Sequence, residues 1–158
     1  MTNWLVEQVT WDHPGAKRLR EQQRAELDAR YGNDDHEPGI HPSAADVFAF
    51  FVARDASGED MACGGLRMVD ENSLGPGVAE IKRMYADPKA RGNGAAAAIL
   101  NALESHAAAH GAKKLVLETG TIQPDGSRFY EKHGYTPIPL FGDYIGSQVS
   151  LCYARSLR

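Results

Sequence analysis

A glycine-containing segment at residues 90–98, ARGNGAAAA, lies between a strand-like stretch at residues 79–88 and a long alanine-rich stretch. Gly92 and Gly94 can adopt backbone conformations that other residues avoid, and they leave room for a ligand to approach the main chain. The first N–H groups of a helix have no partner inside it and carry partial positive charge. The segment therefore predicts a strand, a turn and a helix whose first turn, beside the positive charge of Arg91, can hold a phosphate or pyrophosphate.

Two common nucleotide-binding patterns do not fit this segment. A Walker A loop requires Gly-Lys-Ser or Gly-Lys-Thr after a four-residue spacer, and the dinucleotide-binding pattern requires a third glycine after Gly94. Neither pattern is present in the sequence.

The rest of the chain alternates between strand-like and helix-like stretches. Alternating or short apolar runs bounded by turn formers predict strands at residues 5–11, 47–54, 61–69, 79–88, 115–120, 135–140 and 149–154. Helical spacing and end signals predict helices at residues 16–31 and 92–110 and a third that begins at Pro124, followed by Gly32, Gly111 and Gly134 respectively. The run 115–120 is apolar enough to be a central strand parallel to 79–88.

Length, charge and cysteine content limit the classes of protein to which this chain can belong. With 158 residues and 42% apolar residues, the chain is expected to form one domain spanning residues 1–158. A net charge of −4 with dispersed basic residues argues against nucleic-acid binding. No stretch approaches the roughly 20 apolar residues of a membrane span. Cys63 and Cys152 are expected to be free thiols, so a cytoplasmic location is expected.

The order strand, Asp-Pro, Arg-Gly-x-Gly, helix, strand and a helix carrying FYEKHGY resembles the N-acetyltransferase (GNAT) superfamily. The superfamily pattern is Gln or Arg, two residues, Gly, one residue, then Gly or Ala, and it is matched by Arg91, Gly94 and Ala96. The resemblance extends over most of the chain and is firmest at residues 79–135. It implies an α/β (α+β) GNAT fold, with a mixed central sheet of about seven strands and about four helices.

The resemblance also implies a co-substrate and a reaction. Acetyl-CoA is the expected donor, and its pyrophosphate is expected on the segment formed by Arg91, Gly92, Asn93, Gly94, Ala95 and Ala96. Backbone groups of Met84 and Tyr85 are implied to bind the pantetheine arm where the strands separate, and Gln123 stands where the superfamily has Asn. The expected reaction is direct transfer of acetyl to a primary amine. The alternatives are an acyl-CoA binding or sensing module with little turnover and, least favoured, a scaffold without CoA affinity.

Acetyl transfer needs a base, because a lysine-like amine is neutral in only about one molecule in 2,500 at pH 7. Glu80 matches a strand glutamate that acts as general base in one branch of the superfamily, although it can instead pair with Lys82 or Arg83. Glu118, at the end of the next strand, is the second candidate, or else a partner for Arg83. Tyr130 matches the tyrosine that protonates the leaving thiolate.

The packing alternative for Tyr130 is a core aromatic. The neighbouring Phe129 is the better core residue, since the two side chains point in different directions.

The acceptor side is less defined by the sequence. The resemblance implies that the loop after the first helix borders the acceptor site, so Asp34, Asp35 and Glu37 can attract a cationic amine. No metal site is expected there, because the ligand-type residues of NDDHE are consecutive rather than spaced. His106 and His110 are expected to be solvated helix residues. The resemblance further implies a homodimer, in which strand 149–154 pairs or packs across the interface.

Overall fold

The structure, a computed structural model, describes residues 3–157. Its centre is a seven-stranded mixed sheet with the order β1-β2-β3-β4-β5-β7-β6. All neighbours are antiparallel except β4 and β5, which are parallel. The strands are β1 Leu5–Val9, β2 Val47–Arg54, β3 Asp60–Met68, β4 Val78–Ala86, β5 Lys114–Gly120, β6 Thr136–Ile138 and β7 Ser150–Ser156.

Four α-helices accompany the sheet: α1 Pro14–Tyr31, α2 Glu71–Leu74, α3 Ala95–Ala109 and α4 Pro124–Lys132. Short 3₁₀ turns occupy Pro88–Ala90 and Gly142–Tyr144. The predicted α/β (α+β) class, with about seven strands and about four helices, is confirmed. The one-turn helix α2 lies where the sequence predicts a turn.

Two element ends differ from the prediction for local reasons. The first strand ends at Val9 rather than at residue 11, because the Thr10 carbonyl accepts a hydrogen bond from the His13 N–H (3.1 Å) and begins a turn. Helix α3 begins at Ala95 rather than at Gly92, because Gly92 and Gly94 have φ angles of +82° and +88°. Left-handed residues of this kind end or precede a helix and do not lie within one.

The alanine-rich helix α3 packs closely against the sheet. Its buried side includes Ile99 and Leu103, and the facing strand β3 carries Gly64. A Cβ atom at Gly64 would lie only 2.9 Å from Ile99 Cγ2 and 3.1 Å from Leu103 Cδ1. A side chain at position 64 would therefore push α3 away, and the glycine lets α3 pack directly on β3.

Strands β4 and β5 are paired only at their beginnings. The parallel register joins Val78 to Lys114, Ala79 to Leu115 and Glu80 to Val116, and does not continue further along β4 or β5. A register shift between β3 and β4 accompanies the positive φ angle of Arg83 (58°), which indicates a bulge in β4. The carboxyl ends of β4 and β5 therefore separate, in the geometry that commonly creates a binding crevice in α/β sheets.

Three further features bear on the predictions for the chain as a whole. Strand β7 has β5 on one side and, at Cys152–Ala154, β6 on the other, so those residues have no free edge for pairing with a second copy. Cys63 and Cys152 are buried free thiols. Within residues 3–157, no helix is both long enough and apolar enough to cross a membrane.

Candidate active site

A cleft of about 590 Å³, here called the main cleft, opens where β4 and β5 separate. Its walls come from the second half of β4, the first turn of α3, the end of β5, and helices α1 and α4. A side cavity of about 280 Å³ lies between α1, the loop after it, and the end of β5. Both cavities are lined by Gln23, Leu27, Glu37, Arg83, Glu118 and Gln123.

The first turn of α3 presents free hydrogen-bond donors to the main cleft. The first intrahelical bond runs from the Ala98 N–H to the Gly94 carbonyl (3.0 Å), and the N-cap residue Gly94 has no side chain to cap the helix. The N–H groups of Ala95, Ala96 and Ala97 therefore precede the helical bonding pattern, and all three residues line the cleft. This geometry is that of an anion site, with the positive end of the helix dipole facing it.

Arg91 is held at the rim of the same site. Its guanidinium donates to the Ala86 carbonyl (3.0 Å) and to Glu26 (2.8 Å), and it lies over the ring of Tyr85, 5.5 Å from the ring centre. Because Arg91 forms an ion pair with Glu26, its guanidinium is held in place and its positive charge is partly neutralised. Gly92 lines the cleft, whereas Asn93 faces another surface, where its carbonyl accepts a hydrogen bond from Trp4 Nε1 (2.9 Å).

A glutamine from α1 completes the wall beside β4. Gln23 Nε2 donates to the Met84 carbonyl (2.9 Å), and Met84 and Tyr85 both line the main cleft. Gln23 Oε1 is buried and has no hydrogen-bond partner among residues 3–157. A buried acceptor without a partner is costly, so this oxygen is available to an N–H group of a ligand.

Tyr130 lies in the wall of the main cleft and is only 7% exposed. It packs edge-on against Phe129 and Tyr135, with ring centres 5.1 and 5.7 Å away. The expectation that Phe129 is the more buried of the pair is wrong, because Phe129 is only partly buried while Tyr130 is in the core. Burial raises the pKa of the Tyr130 hydroxyl, which therefore stays protonated throughout the neutral range.

Gln123, the N-cap of α4, donates to the Tyr31 hydroxyl (3.2 Å).

Glu118 is the one carboxylate of the two predicted bases that faces both cavities. It accepts a hydrogen bond from Ser150 Oγ (2.7 Å), which in turn lies 2.8 Å from Ser147 Oγ. Burial raises its pKa above the ordinary range of glutamate, and the Ser150 bond only partly offsets that shift. The alternative that Glu118 pairs with Arg83 does not occur: Arg83 bonds to Glu37 instead.

Glu80 lies outside both cavities and is 3% exposed. Its carboxylate is bonded to Arg67 Nε (3.0 Å) and to the Tyr144 hydroxyl (2.6 Å), while Lys82 Nζ stands 3.8 Å away. Both carboxylate oxygens thus have firm partners. The alternative to a base role is a pairing of Glu80 with Lys82 or Arg83. Lys82 is a long-range partner, and the main partner is Arg67, directly opposite on β3.

The acidic residues of the loop after α1 occupy different places. Asp34 and Asp35 are exposed and line neither cavity. Glu37 lies at the boundary of the cavities, where its carboxylate binds Lys82 (2.7 Å) and both terminal nitrogens of Arg83 (2.9 Å each). Burial alone would raise the pKa of Glu37, but these two cations hold that pKa at about 2. Glu37 is therefore an ion-paired structural element of the site and carries no free negative charge.

The two histidines of α3 lie away from this chemistry and line neither cavity. His106 and His110 stack with Phe48 at ring-centre distances of 6.2 and 4.6 Å, so they pack on an aromatic side chain and are not simply solvated. Within the described part of the chain, no group of three or more metal-ligand side chains is present.

Comparison with known proteins agrees with this geometry. The family model described as "Acetyltransferase (GNAT) family" matches residues 7–135. An IAA acetyltransferase from Azospirillum brasilense is 35% identical over 108 residues, which are 68% of this chain and 67% of the relative. A structure from Klebsiella pneumoniae, described as an acyl-CoA N-acyltransferase, has a TM-score of 0.78 and 26% identity, covering 98% of each chain.

A second solved structure supports the same fold. The IAA acetyltransferase from Bacillus cereus has a TM-score of 0.70 and 15% identity, covering 98% of this chain and 100% of that one. At this identity the likeness concerns the fold alone. The matched family model includes the glycine turn, Glu118 and Tyr130. The chain therefore belongs to the acetyltransferase (GNAT) family.

Proposed function

We propose that this acetyltransferase moves the acetyl group of acetyl-CoA directly to a primary amine of a small molecule or an exposed amino group. The observation that supports it most strongly is the meeting of the main cleft and the side cavity at Glu118. The main cleft contains the free N–H groups at the start of α3, which suit the donor. The side cavity leaves separate room for an acceptor beside the same carboxylate.

The donor is proposed to lie along the main cleft. Its pyrophosphate binds the N–H groups of Ala95 and Ala96 and the rim cation Arg91, with Gly92 and Gly94 allowing close approach. Its pantetheine arm follows β4 at Met84 and Tyr85, where Gln23 Oε1 and Gln123 offer polar contacts. Asn93 contributes through its position in the turn, because its carbonyl is bonded to Trp4.

Substitution of Gly94 tests the donor site. Gly94→Leu is expected to raise the Kd for acetyl-CoA by about 10-fold or more, because a side chain strains the left-handed turn (φ +88°) that orients the N–H groups. Isothermal titration calorimetry measures the change. Gly111→Leu is the matched control: Gly111 has a φ of +95°, a Cβ atom added there would meet no atom within 4 Å, and it lies at the other end of α3. Equal losses in both variants would contradict the assignment.

The proposed chemistry assigns one proton to each of two residues. The Glu118 carboxylate takes a proton from the bound ammonium, and the neutral amine attacks the thioester carbonyl to form a tetrahedral intermediate. When the intermediate collapses, the C–S bond breaks, and the Tyr130 hydroxyl protonates the leaving CoA thiolate. The amide nitrogen loses its second proton as the product forms, which restores the proton of Tyr130, and Glu118 releases its proton to the solvent. Glu80, whose two oxygens are occupied, is proposed to position β4 rather than to act as the base.

Thiol release from acetyl-CoA, measured across a broad panel of amines, tests the proposed function. At least one amine is expected to give enzyme-dependent thiol release together with a product heavier than the amine by roughly 42 mass units, the difference between an acetyl group and a hydrogen. Tight binding of acetyl-CoA with no thiol release for any amine would contradict the proposal. That result would favour the alternative, an acyl-CoA binding or sensing module.

A further inference from the structure

We infer that the acceptor is a primary amine that also carries a carboxylate, held by basic side chains of α1 in the side cavity. This inference rests on the proposed function and deepens it by naming the substrate class. It differs from the expectation that an acidic loop attracts a cationic amine. The reasons are the residues that line the side cavity and the partners that those residues have or lack.

Helix α1 supplies half of the residues that line the side cavity. The residues that line the cavity include Lys17, Arg20, Arg24, Leu27 and Tyr31, which recur at spacings of three and four. Such a spacing places side chains on the same side of a helix. Three of the five are cationic, and they form a row that ends with the apolar Leu27 and the aromatic Tyr31.

The cations of this row have no carboxylate partner. Among residues 3–157, no ion pair is formed by Lys17, Arg20 or Arg24, whereas Arg30 of the same helix is paired with Glu26. The best contact of Arg24 is a long hydrogen bond to the Asp34 carbonyl (3.5 Å). The positive charge of this wall is therefore available to a ligand.

Arg20 is the most firmly held of the three. Its guanidinium lies over Trp11, 3.7 Å from the ring centre, and 5.1 Å from the ring centre of Phe50. Its Nη1 is buried and has no hydrogen-bond partner in the part of the chain that the structure describes. Stacking fixes the guanidinium without satisfying its donors. A carboxylate supplies both the charge and the paired acceptors that an arginine fork binds best.

The acidic groups of the cavity do not cancel this charge. Glu21 is exposed, and Glu37 is already neutralised by Lys82 and Arg83. Glu118 stands where the side cavity meets the main cleft, which is the place of the reacting amine. The cavity therefore has a basic wall on α1 and a carboxylate at its junction with the donor. An amine with a carboxylate at its far end matches this polarity.

The test compares two acceptors that differ only in the carboxylate. 4-(Aminomethyl)benzoate and benzylamine present the same aminomethyl group on the same ring, and the ring suits a cavity lined by Trp11 and Tyr31. We expect kcat/KM for the carboxylated amine to exceed that for benzylamine by about 10- to 100-fold, the usual range for a charge-assisted pair. Arg20→Met is expected to reduce this preference to below about threefold. Arg128→Met, which removes an exposed arginine that lines neither cavity, should keep it.

Several outcomes would overturn the inference without touching the proposed function. Equal or better acetylation of benzylamine would show transfer without anion recognition, and an unchanged preference in Arg20→Met would exclude the α1 wall as its source.

If no amine is acetylated, the proposed function fails, and calorimetry with CoA present still decides the inference. Tighter binding of 4-(aminomethyl)benzoate than of benzylamine would support it, and equal binding would contradict it. Thermal melting of Arg20→Met shows whether the variant is folded.

Discussion

Glu118→Gln is expected to lower kcat by about 10²- to 10⁴-fold at neutral pH, while acetyl-CoA binds as before. Glutamine keeps the size of the side chain and can still accept a hydrogen bond from Ser150, but it cannot take a proton. Glu118 is half-buried at the junction of the two cavities, so its carboxylate is the one placed to receive the amine proton. Steady-state kinetics at saturating acetyl-CoA measure the loss.

The pH profile gives this prediction a second readout. The carboxylate is the active form, so the rate of the wild-type enzyme should fall as the pH drops through the pKa of Glu118. Because burial raises that pKa, the acidic limb should lie above the ordinary glutamate range of about 4.3. In Glu118→Gln this limb should vanish, and raising the pH should recover part of the rate as the free amine becomes commoner.

Glu80→Gln is the matched control for this experiment. It makes the same chemical change in the neighbouring strand, at a carboxylate bonded to Arg67 and Tyr144 and outside both cavities. We expect a loss of stability, because Arg67 then faces a neutral partner, but an unchanged acidic limb. The reverse result, a limb lost in Glu80→Gln and kept in Glu118→Gln, would make Glu80 the base. A limb kept in both variants would make deprotonation in solution the source of the neutral amine.

Tyr130→Phe is expected to lower kcat by about 10- to 10⁴-fold without weakening acetyl-CoA binding. Phenylalanine preserves the ring that packs against Phe129 and Tyr135 and removes only the hydroxyl. Burial raises the pKa of this hydroxyl, so the proton is present at any pH at which the enzyme is assayed. The leaving thiolate would then depart without its proton donor. Calorimetry for binding and rapid-quench measurement of the acetyl-transfer step separate the two effects.

Tyr135→Phe provides the comparison for Tyr130. Tyr135 is also buried and packs edge-on against Tyr130, but its hydroxyl donates to Glu104 (2.8 Å) on α3 and does not line the main cleft. Its loss should cost about 1 kcal/mol of stability and little activity. Comparable falls in kcat for the two variants would mean that Tyr130 acts through packing, and its assignment as proton donor would be withdrawn.

The glycine turn and the start of α3, where we propose the anion site, were predictable from sequence because their parts are consecutive in the chain. Arg91, Gly94 and Ala96 lie within one turn and one helix start, so local pattern and backbone preference define them together. The strands were predictable for a similar reason, since each is an apolar run with its own turn signals, whereas their arrangement in one mixed sheet was implied by the resemblance to the superfamily. Helix α3 needed only its alanine content and the glycines at its ends.

The polar partners of the site could not be predicted in this way. Lys82 reaches Glu37 over 45 positions of sequence and Tyr144 over 62, and no local pattern encodes such pairs. Which of Phe129 and Tyr130 is the more buried likewise depends on the cleft that separates β4 from β5. The sequence did contain a signal for the basic wall, because Lys17, Arg20 and Arg24 have helical spacing. That these three cations form no ion pair could be seen only in the structure.

Because β4 and β5 pair over only a short length, here called the seam, the sheet consists of two halves with few hydrogen bonds between them. Among the residues that the structure describes, three residue pairs connect β1–β4 to β5–β7 within the sheet. A ligand that lies in the seam contacts both halves at once, so its binding energy adds directly to the cohesion of the fold. Filling the main cleft should therefore slow hydrogen exchange on both β4 and β5, and the free energy of unfolding of the chain should rise with the concentration of the ligand in the cleft.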